Sequence, residues 1–202
     1  MKRSLTLGPD EQIGNLPPPK FNELATKIAL PTVEIIPLVM GGNNTPHQVY
    51  LVRRDTAGDP WYGQWHAPGS VIRPADLRLA KGMAAVVKRI LEGSEFNGIE
   101  PTNGFEELAN RYDVDTVEGA VPIGLKSGED MRGPVISPVF MLPIRQVGPL
   151  PEHTALYDLS SLPANTIEFH TKMITLAARA AKRLMAGRYP GLKIIDVHEQ
   201  SG

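Results

Sequence analysis

Two runs of apolar and β-branched residues, TVEIIPLVM at 32–40 and HQVYLVRR at 47–54, are separated only by GGNNTP. Val, Ile, Thr and Tyr suit a pleated, half-buried surface, while Gly, Asn and Pro are what turns demand, so the stretch reads as strand, turn, strand. Pro37 inside the first run predicts a bulge or an edge position, because proline cannot donate to a ladder. Both strands need cover, and two helical segments supply it. RPADLRLAKGMAAVVKRILEGSEF spaces Leu77, Ala80, Ala84, Val87 and Leu91 by three or four, with Gly82 weakening its middle. ANTIEFHTKMITLAARAAKRLMAG is rich in helix formers and is closed by Gly187. WHAPGSVI reads as one short strand and FEELANRY as a short helix, and VEGAVPIGLK and PVISPVFMLPI read as strands joined by the turn-rich SGEDMRG. Strands before, between and after helices predict an α/β (α+β) domain, a mixed sheet flanked by helices.

With 202 residues, 42% of them hydrophobic, one full core can be buried. Residues 1–19, polar and broken by Gly8, Pro9, Gly14 and PPP at 17–19, read as a flexible N-terminal arm. KFNELATKIAL then reads as a short amphipathic helix ended by Pro31, so the domain is expected over 20–187 with a C-terminal tail over 188–202.

Lys plus Arg number 21 against 22 Asp plus Glu, which gives no strong nucleic-acid signal and no broad attraction to an anionic membrane. The absence of cysteine removes disulfide frameworks, thiolate nucleophiles and thiolate zinc sites. No signal peptide or membrane-spanning run is present in the sequence, so a cytoplasmic protein without membrane partners is expected. There is no GxSxG elbow, HExxH helix or Walker A loop.

VYLVRRD, WHAPGSVI, a helix with carboxylates at its end and a late SSLPANTIEFHTKMI together resemble the Nudix hydrolase family over roughly residues 30–186. The resemblance implies a Nudix-like mixed β-sheet sandwiched between helices. Its signature, G-x5-E-x7-R-E-U-x-E-E-x-G-U with U aliphatic, places glutamates on divalent metal. Here Ser70 stands at the first glycine and Asp76 at the first glutamate, and the interval after Asp76 is longer than the family's. Two registers remain for the second half. Anchored on KRILEG, Lys88 takes the arginine position, Arg89 the first glutamate that follows it, Glu92 the second and Gly93 the third. Anchored on Gly98 and Ile99, Glu92 and Glu95 match two glutamates, while Leu91 replaces the arginine and Phe96 the last glutamate. The second is favoured for an enzyme, since two glutamates three apart on one helix face can share a hard cation.

The resemblance therefore implies Mg2+ or Mn2+ held by Glu92 and Glu95 with help from Asp76, and metal-dependent hydrolysis of a nucleoside diphosphate linked to another group. Arg53 or Arg54 would hold phosphate and Trp65 would stack on the ligand, a nucleotide-derived small molecule. Competing readings are a solvated helix end for Glu92 and Glu95, an N-cap acid for Asp76 and core closure for Trp61 and Trp65. Glu129 and Asp130 read as a solvated turn, and His66 and His170 as isolated histidines. The rival function is a catalytically inactive Nudix-fold module that binds a nucleotide or a protein through the same cleft. Either reading leaves room for a homodimer.

Overall fold

The computed structural model describes residues 20, 30–73, 76, 82–131 and 133–198. The arm read over 1–19 and nearly all of the helix read in KFNELATKIAL lie outside the described residues. β1 (Leu30–Met40) and β2 (Pro46–Arg53) form the expected antiparallel hairpin. Its turn is closed by the Gly41 N–H donating to the Thr45 carbonyl at 2.9 Å.

β1 is a central strand, between β2 and β7 (Gly133–Gln146), so the edge position expected from Pro37 does not occur. Pro37 instead falls where β1 changes partners, after Thr32–Glu34 pair with β4 (Gly69–Val71) and before Leu38 begins pairing with β2. The bulge lies further on, between Val39 and Met40. WHAPGSVI is two strands rather than one: β3 (Trp65–His66) pairs with β2, and β4 pairs with β1. Pro68 lies in the break, where its carbonyl accepts the Ile35 N–H at 2.9 Å.

α1 (Met83–Leu91) follows Gly82, whose φ of 44° is open to glycine and strained for other residues. A 3-10 turn (Ser94–Phe96), β5 (Ile99–Pro101) and α2 (Glu106–Asn110) lead to β6 (Val121–Asp130). β7, β8 (Thr154–Asp158), α3 (Glu168–Met185) and β9 (Lys193–His198) complete the described chain. The sheet order is β3-β2-β1-β7-β6-β9, with β4, β5 and β8 joined to β1, β7 and β2. β1–β7 and β6–β9 are parallel and the other pairs antiparallel, so the sheet is mixed as expected. β9 extends it into the stretch read as a tail. Glu129 and Asp130 end β6 rather than sitting in an open turn, and Asp130 is buried.

At β1 and β2 both faces of the sheet are covered, which is why these strands read as nearly unbroken apolar runs. Val33 and Ile35 of β1 face the α1 side with Val86, Val87 and Ile90, whereas Ile36 and Leu38 face the α3 side with Met173, Ile174 and Ala177. The small Ala177, Ala180 and Ala181 bring α3 close to the sheet. Gly187, at φ 72°, ends that helix, with the Arg188 N–H returning to the Arg183 carbonyl at 2.9 Å.

Candidate functional site

α1 ends at Leu91, and its last turn presents Arg89 to the start of the motif. The guanidinium donates from Nε to Asp76 Oδ1 at 3.2 Å, from Nη2 to Asp76 Oδ2 at 2.8 Å, from Nη1 to Ser70 Oγ at 2.8 Å and from Nη2 to the Val71 carbonyl at 2.9 Å. Asp76 also accepts the Arg73 N–H at 2.7 Å. Burial pushes the Asp76 carboxyl up, but the hydrogen bonds from Arg89 and Arg73, with their charges, outweigh it and hold the group below its ordinary value. Asp76 is thus bound to an arginine that fastens α1 to β4.

This contact picks out a third register. With Asp76 at the signature's first glutamate and Arg89 at its arginine, twelve residues separate them where the family has seven. The three glutamates that should follow fall on Ile90, Gly93 and Ser94, and Ile90 is buried among apolar side chains. None is a carboxylate, and residues 77–88 contain none either.

Glu92 and Glu95 do not share a helix face. Glu92 caps α1 with 66% of its side chain exposed, 3.6 Å from Lys88. Gly93 then takes an extended conformation (φ −69°, ψ 152°), and Glu95 belongs to the separate 3-10 turn. That turn is anchored by the buried Phe96 ring and by the Tyr50 hydroxyl, which donates to the Glu95 carbonyl. Among the described residues no group of three or more His, Asp or Glu side chains is placed to hold a metal ion. A hard divalent cation needs several converging oxygens. The donors offered by Asp76, Glu92 and Glu95 do not fit one.

Glu95 instead joins Arg53 in the lining of a cavity of ≈ 460 Å³, between the end of β2, the 3-10 turn and Pro149–Thr154. Asp55, Glu152 and His153 also line it. Desolvation raises the Glu95 pKa, Arg54 opposes the rise and Asp55 adds to it. His153 bridges the two sides of the β2 end: its Nδ1 lies 3.2 Å from Arg53 Nη2 and its Nε2 3.6 Å from Asp55. Behind Arg53, 5.9 Å from its guanidinium, lies the Trp65 ring, packed edge-on against Tyr157 at 5.0 Å. Arg54 pairs with Asp59 at 3.1 Å and lies 5.7 Å from the Trp61 ring. Trp61 is in the core against Phe169, and Trp65 is half-buried.

Sequence reasoning missed a buried ion pair beneath this region. Lys126 Nζ of β6 lies 3.0 Å from Glu34 of β1 and 4.4 Å from the centre of the Phe169 ring. The Glu34 carboxylate rests on Gly69, the glycine of the PGS triplet, where a Cβ would lie 2.2 Å from Glu34 Oε2. The available signal was Glu34, the only charged residue of β1, and Lys126, the only cation of β6. His66 and His170 are also not isolated: their rings lie 5.5 Å apart, and His170 Nδ1 accepts the Ala67 N–H at 3.3 Å.

No protein-family model and no curated protein sequence matches the chain. Solved structures match its fold. A mutT/nudix family protein from Listeria innocua superposes with a TM-score of 0.52 at 19% identity, covering 78% of this chain and 96% of that one. A MutT/nudix family protein from Enterococcus faecalis gives 0.50 at 16% identity, covering 81% of this chain and 66% of that one. The chain has the Nudix fold.

Proposed function

We propose that this Nudix-fold chain is a binding module for a nucleotide-derived small molecule and does not carry out metal-dependent hydrolysis at its box. The observation that carries this reading is the Arg89 clamp. It engages the one acid at the head of the motif and leaves Ile90, Gly93 and Ser94 where metal-binding carboxylates would have to stand. Magnesium or manganese therefore enters no step of this reading.

The ligand would lie in the cavity at the end of β2. Arg53, backed by Trp65 and held beside His153, offers a planar donor fork suited to a phosphate. Asp55, Glu95 and Glu152 offer acceptors to sugar hydroxyls or a base amino group. A site with both signs of charge suits a ligand that has both an anionic and a donor end.

Nucleotide sugars, dinucleotides, ADP-ribose and nucleoside triphosphates, titrated by calorimetry and incubated with Mg2+ or Mn2+, test the proposal. Binding of at least one without turnover, weakened by Arg53→Ala, is the expected result. Metal-dependent turnover that falls steeply in Glu92→Gln or Glu95→Gln would return the chain to the hydrolases.

A further inference from the structure

Away from this cavity, the C-terminal half of α3 carries Arg179, Lys182 and Arg183 on its exposed side, and Lys193 opens the neighbouring β9. Among the residues whose side chains are described, none forms a hydrogen bond or ion pair with these four. Grooves run along both flanks of the helix. One, of ≈ 370 Å³, is lined by Leu176, Arg179, Arg183, Pro190, Lys193 and Ile194 among others, and the other, of ≈ 460 Å³, by His47, Arg179 and Lys182 with Leu159, Leu162 and Ile174. No carboxylate lines either one. The helix dipole accounts for cations in the last turn, hence for Lys182 and Arg183. It does not account for Arg179, a turn earlier, or for Lys193 on another element.

The apolar part of this surface is equally uncovered. β9 is the end strand of the sheet order; Leu192, just before it, is 66% exposed and Ile194, within it, 75% exposed. Edge strands are ordinarily guarded against pairing, and exposed aliphatics on one invite a partner. We propose that the groove between α3 and β9 docks an extended acidic, aliphatic segment of a partner protein. Its carboxylates would meet Arg179, Arg183 and Lys193, and its aliphatic side chains would cover Ile194 and Leu176. Single-stranded nucleic acid suits the charge but not the floor, because neither groove lining includes the Phe, Tyr or Trp rings on which bases stack.

The probe is a fluorescein-labelled peptide alternating Glu with Leu, its anisotropy titrated with the full chain at low and at physiological salt, beside labelled oligo(dT) of equal length. We expect saturable peptide binding that salt weakens and that the double variant Arg179→Glu, Arg183→Glu weakens by about tenfold or more. Ile194→Ser should also weaken it, with the melting temperature of either variant unchanged. An absence of peptide binding, or binding indifferent to these variants, overturns the proposal. So does oligo(dT) binding tighter than the peptide and lost in the charge variant, which would make the face a nucleic-acid site. Tighter peptide binding after deletion of residues 1–16 would also overturn it, by making the chain's own segment the occupant.

Discussion

Asp76 and Arg89 are one unit, and breaking it leaves a charge without its partner. Arg89 keeps 26% of its side chain exposed, so Asp76→Asn should destabilise the fold by roughly 2–3 kcal/mol, below the cost of stripping a fully buried pair, as read by urea denaturation. The pH dependence follows from the depressed Asp76 pKa. Because the folded value lies below the unfolded one, the contribution is full above the ordinary value of 3.8 and is lost as pH falls beneath it through the folded value. Acid titration of wild type against Asp76→Asn should show their stabilities converging below that point; a constant gap down to low pH would contradict it. Lys126 and Glu34 are a deeper case. Lys126→Met should cost about 3–5 kcal/mol by stranding the Glu34 carboxylate, and adding Glu34→Leu should recover most of it. A double variant no more stable than the single would mean that the pair does not act as a unit. This pair was not legible in the sequence, since its members are 92 positions apart and nothing local couples them.

Elements were legible where periodicity is long and buried on both sides, and less so where pairing decides. β1, β2, β6, β7 and α3 announce themselves by composition. WHAPGSVI does not announce that Pro68 divides it between two partner strands, and KIIDVH is too short to show that it joins β6. The box helix was misjudged for a related reason: a run of helix-compatible residues crosses Gly93, and only the fold shows the chain extended there. The β1–β4 pairing gives a test of its own. A Cβ at Gly69 would meet Glu34 Oε2 at 2.2 Å and the Val33 carbonyl at 2.9 Å, so Gly69→Ala must displace both the carboxylate and the strand. A loss of about 1–3 kcal/mol, the usual cost of overpacking, is expected in thermal or chemical unfolding. Wild-type stability in this variant would show that Glu34 is free to move aside.

Across the molecule, the sheet gathers strands from Leu30 to His198 and separates two surfaces with different chemistry. The end of β2 carries a cavity of mixed charge, and the groove between α3 and β9 is lined by cations with no carboxylate among its lining residues. The overall net charge of −1 concealed that division, because a sum over the chain says nothing about where charges lie. The Nudix likeness was legible from the order of motifs, while the state of the box was not, since it depends on which arginine reaches Asp76. Manganese titration followed by electron paramagnetic resonance, on wild type, Glu92→Gln and Glu95→Gln, tests most directly whether the box retains a metal site. We predict one weak profile shared by all three proteins. A site in wild type that is weakened in either variant would contradict the account and restore a carboxylate-held cation to the end of α1.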